Sequence, residues 1–230
     1  MAVVALDTSS AVVSVAVHDG RVVRARRALP PGRRHAELLM PALTGALAEA
    51  GLDWAEVEAI GVGVGPGPFT GLRVGLVTAR VLGHVLEIPV LGVCSLDVVA
   101  AAAVAGDGLE VSGFPEASEF LVALDALRRE VHWARYRVVG DRAVRVSGPA
   151  VDRPADVPRD GLPVVGRGSA LYPEPLGPAC GPWEPDAARL AVLVVEARRR
   201  GERLLPPEPL YLRRPDAVEP AAAKSVLTGS

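Results

Sequence analysis

Asparagine and glutamine are absent from the 230 residues, lysine occurs once against 24 arginines, and there are only two cysteines. The missing amides and lysines read as codon bias across a genome, because the arginines are scattered along the chain and not gathered on one stretch. Cys94 and Cys180 lie too far apart for a disulfide framework or a metal-binding spacing, which excludes a stapled miniprotein and points to a reducing compartment. Charge of one sign is also lacking: the formal net charge is −2, so no global basic field draws in nucleic acid or an anionic membrane. The longest apolar run, around residues 88–106, is broken by Asp97, and no stretch has the length a membrane helix needs. The start of the chain has no basic region and soon meets Asp7, so no signal peptide is expected and a cytoplasmic location is.

What is present is ample apolar material, 50% of the chain, enough to bury a core in one domain or two small lobes. Residues 2–6 form a continuous apolar run, as in a strand buried on both faces, ending at Asp7-Thr8-Ser9-Ser10. Val13, Val15 and Val17 then alternate with small or polar residues before the hairpin signal Asp19-Gly20. The same order recurs later: an apolar run over 120–124 ends in Asp125, and an alternating stretch over 131–139 turns at Gly140-Asp141. After the first meander the pattern predicts a helix over 35–50, a strand over 59–64, a glycine loop and a helix over 70–86 capped by Thr70. A short strand over 89–93 and a helix capped by Ser95 follow. After the second meander come a Pro-rich connection, a strand over 163–165, the loop Gly166-Arg167-Gly168-Ser169 and a helix over 186–200. This is a duplicated α/β architecture: one lobe over 1–105, a second over 106–205 with a hinge near 105–115, and a surface tail over 206–230.

The sharpest local signal is Gly65-Pro66-Gly67-Pro68-Phe69-Thr70-Gly71-Leu72-Arg73-Val74-Gly75, a rigid loop feeding a helix. It lacks the lysine of a phosphate-binding loop. Gly71, Gly75, Ala79 and Gly83 recur every fourth residue, leaving one helix face almost bare. Interior glycines cost roughly 0.5–1 kcal/mol each relative to alanine, so close packing must compensate, either against this chain or against another subunit.

Together with Asp7-Thr8-Ser9, that motif, Leu124-Asp125-Ala126-Leu127-Arg128-Arg129-Glu130-Val131-His132-Trp133-Ala134, Val165-Gly166-Arg167-Gly168 and Glu208-Pro209-Leu210-Tyr211-Leu212-Arg213 resemble the TsaB (YeaZ) family over nearly the whole chain. The resemblance implies the two-lobed ASKHA fold of actin, Hsp70 and sugar kinases, related to RNase H. Asp7, Thr8, Asp125, Gly166 and Gly168 then stand where that fold faces a nucleotide cleft. It also implies a non-catalytic role beside a TsaD-like threonylcarbamoyltransferase and a TsaE-like ATPase in modifying tRNA, most RNA contacts being made by the partners. The subunits would be joined by a helix bundle, here His35, Leu39 and Leu43 on one helix and Phe69, Thr70, Gly71, Gly75, Ala79 and Gly83 on the next. A homodimer through the same face is compatible with this. The residues themselves leave open a stand-alone ATPase or phosphotransferase using Asp7 and Asp125, or a glycoprotease-like peptidase. Against these, no two of His18, His35, His84 and His132 have metal-ligand spacing, Cys94 lies in an apolar stretch, and Arg128 and Arg129 replace a glycine-rich phosphate turn, so no metal and no cofactor are expected. Arginines at 24, 26, 27, 33, 34, 198–200 and 203 are the candidate RNA patches.

Overall fold

Strand β1 (Ala2–Asp7) pairs antiparallel with β2 (Val13–His18), and every residue of both is buried. The structure, a computed structural model, describes residues 1–29, 35–107, 114–178 and 180–212. β3 (Val23–Leu29) completes the meander, and β4 (Val57–Gly63) and β5 (Val90–Val93) add parallel to β1 and β4, giving the order β3-β2-β1-β4-β5. Helices α1 (His35–Ala50) and α2 (Phe69–Val85) pack Leu39, Leu43, Leu72 and Leu76 against Val4, Leu6, Val15 and Ile60 on one face. Helix α6 (Ala187–Arg200) covers the other with Leu190, Ala191 and Val194 against Val3, Ala5 and Ala16. Coverage of both faces is why β1 reads as an unbroken apolar run and not an alternating one.

The second sheet repeats the plan with one strand fewer. β6 (Glu119–Asp125) and β7 (Val131–Val139) pair antiparallel, β8 (Arg142–Asp152) lies outside β7, and the short β9 (Val164–Val165) runs parallel to β6. The duplication expected from the two meanders is therefore present in the strand order.

The helices do not respect a boundary near residue 105. α3 (Ser95–Val104) belongs to the first half by sequence, yet Leu96, Val99, Ala100 and Ala103 pack with Phe120, Val122 and Tyr136 of the second sheet. α6 follows the second sheet and covers the first. Tyr136 Oη donates to Asp97 Oδ1 at 2.7 Å, fastening this exchange. Beyond α6 the chain crosses back: Gly92 and Leu205 exchange backbone hydrogen bonds of 2.8 and 3.0 Å, and Leu210 N–H donates to Val64 O at 2.8 Å. Leu205 thus pairs with Gly92 on the β5 edge, part of which would otherwise present unpaired backbone.

Three local expectations need correction. α2 begins at Phe69 after an extended Pro68, so Thr70 sits exposed inside the first turn and is not the cap. Cys94 takes the position before α3, and the Ser95 hydroxyl turns to Asp7 instead of capping. Gly166-Arg167-Gly168-Ser169 opens the short helix α4 (Arg167–Leu171), followed by α5 (Pro173–Leu176), and is not a loop. Arg33, Arg34, most of the expected hinge and the tail from Arg213 lie outside the described residues, as does the side chain of His35.

Candidate functional site

The end of β1 carries the residues that the sequence placed at a cleft, and the structure points them inward. Asp7 is fully buried; its Oδ1 accepts from Ser9 N–H at 2.7 Å and Ser9 Oγ at 2.6 Å, and its Oδ2 accepts from Ser95 Oγ at 2.7 Å. Ser95 Oγ in turn accepts the Gly65 N–H at 3.2 Å, so the carboxylate anchors the loop that feeds α2. Burial pushes the Asp7 carboxyl above its ordinary value, opposed by these hydrogen bonds. Thr8 Oγ1 donates to Gly71 O at 2.8 Å and accepts from Gly75 N at 3.2 Å, placing its hydroxyl between groups one turn apart on α2. Asp7 is thus bonded to Ser9 and Ser95, and Thr8 to the first turns of α2.

A raised carboxyl makes the folded state bind its proton more tightly than the unfolded chain does. The resulting penalty is fully present above the folded-state pKa and is relieved as pH falls through it. Asp7→Asn leaves the Ser95 hydroxyl proton without its acceptor and is expected to cost about 1–2 kcal/mol near neutrality. Because only the wild type gains from protonation, the gap between their unfolding temperatures should widen as pH is lowered; a gap independent of pH in thermal melts would contradict the assignment.

The glycine pair is also accounted for internally. A Cβ on Gly166, whose φ is +103°, would lie 2.5 Å from Ala123 O, and one on Gly168 would lie 2.9 Å from Ala123 Cβ. Both glycines let α4 approach β6. Asp125 is half-buried and accepts the Leu127 N–H at 2.8 Å. Next to it Leu127, Arg128 and Arg129 have φ of +60°, +52° and +63°, three consecutive left-handed residues without a glycine. Each such residue is disfavoured by roughly 1–2 kcal/mol, and no turn residue in the sequence announces it. Arg128 and Arg129 are exposed at the turn, while Leu127, half exposed, lines the cleft. That cleft, about 630 Å³, lies between Ser10, Pro66 and Val74 on one side and Asp125, Arg167 and Leu171 on the other. Glu184 also lines it, its carboxyl pushed up by burial against the pull of Ser10 and Arg167.

Other reactive groups are similarly quenched. Burial pushes the Cys94 thiol up to about 12, leaving it protonated. His18 is buried and accepts the Gly20 N–H on Nδ1 at 2.9 Å, and burial lowers its pKa. Among the described residues no three His, Cys, Asp or Glu side chains stand together as a metal site.

Helix α2 has two distinct faces. The small-residue row looks inward: a Cβ on Gly75 would lie 2.4 Å from Thr8 Oγ1, and one on Gly83 would lie 2.2 Å from Val90 Cγ2. Gly75, Ala79 and Gly83 are buried, and Gly71 backs onto Thr8 O. The expectation that this row is a free docking surface is corrected, because its partner is the chain's own β1 end and β5. Leu39 and Leu43 are likewise core residues under α1. The opposite face is open and apolar: Val77, Val81 and Val85, each four residues on, are 58%, 55% and 69% exposed, with Leu38 and Met40 of α1 also partly open. At the start of α2, the exposed Phe69 ring stacks on Tyr211 at 5.3 Å, and the Arg73 guanidinium lies 3.7 Å from its centroid. The sequence reasoning took the glycine row and passed over the valine row, although both have the same spacing.

The chain matches a family model described as TsaD: tRNA N6-adenosine threonylcarbamoyltransferase, over residues 30–171. It is 42% identical to an uncharacterised protein of Mycobacterium tuberculosis over 221 residues, 94% of this chain and 93% of that one. It is 34% identical over 137 residues to the Escherichia coli tRNA threonylcarbamoyladenosine biosynthesis protein TsaB, 60% of this chain and 55% of that one. The chain spans about half the length of the curated TsaB proteins it matches, and 55% of a Mycobacterium leprae relative. The solved structure of YeaZ from Pseudomonas aeruginosa superposes with a TM-score of 0.77 at 32% identity, covering 92% of this chain and 99% of that one. No described helix is long and apolar enough to cross a membrane.

Proposed function

The chain belongs to the TsaB (YeaZ) family, and from that premise we propose that it is a non-catalytic subunit of a tRNA threonylcarbamoyladenosine-forming complex, docking a TsaD-type transferase through the outer face of α2 and the adjoining part of α1. The observation that carries this reading is the valine row Val77, Val81 and Val85, apolar and open on a helix whose other side is locked to β1 and β5. Three exposed valines in register on one helix match the apolar seam of a helix bundle, which gains by removing that area from water. The absence of chemistry of its own is supported by Asp7, Thr8, Gly166 and Gly168, each saturated or packed within the chain. A TsaE-like ATPase acts on the assembled pair, in the cytoplasm, and without the transferase two copies of this chain meet through the same face. Mixing the purified chain with its cognate transferase and sizing the mixture tests the proposal: a joint peak at micromolar concentration is expected, and separate elution overturns it.

A further inference from the structure

Four of the nine arginines named as candidate RNA patches, Arg24, Arg26, Arg27 and Arg200, are paired with carboxylates. Arg24 pairs with Asp19, Arg26 with Asp186 and Arg27 with Glu49, and elsewhere Arg142 pairs with Glu202. Arg198 and Arg199, in the last turn of α6, differ. Arg198 Nη1 donates to Glu58 O at 3.3 Å and Arg199 Nη2 donates to Gly20 O, both main-chain carbonyls. A carbonyl fixes a guanidinium in place without cancelling its charge. Arg21, on the β2–β3 turn, is exposed beside them, and no carboxylate among the described residues lies within ion-pair distance of these three arginines. All three line one open concavity of about 470 Å³ with Gly20, Asp19 and Val195. The single acid in it, Asp19, accepts from the Arg21 and Val22 N–H groups at 2.7 and 2.8 Å and from Arg24, so its charge is already answered.

We propose that the concavity formed by Arg21, Arg198 and Arg199 is a phosphate-binding site for the backbone of an RNA, at the end of α6, the helix that covers the opposite face of the first sheet from α2. Guanidiniums held in advance by carbonyls lose little freedom on engaging phosphate oxygens and present several donors in a fixed fork. With no exposed aromatic among the lining residues, the contact is to the backbone and carries no base preference. The identity of the RNA as tRNA rests on the function proposed above; the chemistry of the site does not.

The test is an anisotropy titration of a labelled, unmodified tRNA transcript with the chain–transferase complex at several KCl concentrations. Arg21→Ala with Arg198→Ala is expected to weaken binding about tenfold at low salt and to make the plot of log affinity against log salt shallower by about 2, one per phosphate contact. Arg137→Ala, which removes one positive charge from a site paired with Glu119, should change neither. Arg21→Ala alone removes a side chain that makes no hydrogen bond or ion pair to the described residues, and gives a slope shallower by about 1 even if the Arg198 change disturbs the helix end. Wild-type affinity and slope in both variants would overturn the site. If the wild type does not elute with the transferase, the proposed function fails; the same titration on the chain alone still decides the phosphate site.

Discussion

Gly75→Leu is expected to lower the unfolding midpoint of the isolated chain by about 6–12 °C, from about 3 kcal/mol of overpacking at roughly 2–4 °C per kcal/mol for a domain of this size. The first carbon alone would lie 2.4 Å from Thr8 Oγ1 and 3.2 Å from Thr8 Cγ2. Thr8 cannot step aside cheaply, because its hydroxyl bonds both Gly71 O and Gly75 N and its neighbour Asp7 is pinned by Ser9 and Ser95. Displacing α2 instead would open the layer where Leu72 and Leu76 fill the core. Differential scanning calorimetry measures this directly. A midpoint within about 2 °C of wild type would mean that the small-residue row packs against nothing in its own chain.

The opposite signature is expected on the other face. Val77→Glu with Val81→Glu should leave the unfolding midpoint unchanged, since both side chains are more than half exposed. Association with the transferase should weaken by more than 100-fold. Two carboxylates carried into an apolar seam lose hydration worth several kcal/mol, and each 1.4 kcal/mol is tenfold in affinity. Isothermal titration of the transferase with the double variant checks it, and binding within tenfold of wild type would remove α2 from the interface. The two variants separate by readout, one acting on stability and the other on binding, although their positions are only a few residues apart.

Much of this molecule was legible from its residues, but orientation was not. The meanders, the helix over 35–50 and the repeated order of elements follow from hydrophobic period and turn chemistry, which are local. A row of glycines every fourth residue says that something approaches closely; it does not say whether that is a partner or residue 8 of the same chain. Asp7 shows the same limit, since an aspartate at a strand end is equally suited to a ligand or to Ser95, and only the fold brings that serine 2.7 Å away. The left-handed turn at Leu127, Arg128 and Arg129 carries no glycine or asparagine signal at all. Which sheet a helix covers is likewise invisible to periodicity, because an apolar face is the same whichever sheet it meets, so the exchange of α3 and α6 could not be read from the sequence.

That exchange bears on how the chain is made. α1 can settle on the first sheet once β4 has emerged and α2 follows it in sequence, but Val3, Ala5 and Ala16 on the far face wait for Leu190 and Val194 of α6. During synthesis the first half is therefore an open-faced sheet until some 200 residues have left the ribosome. Such a surface is prone to capture by other chains. The faster residues 94–200 follow the first sheet out, the shorter the time that face stands open, a constraint on synthesis set by the packing itself.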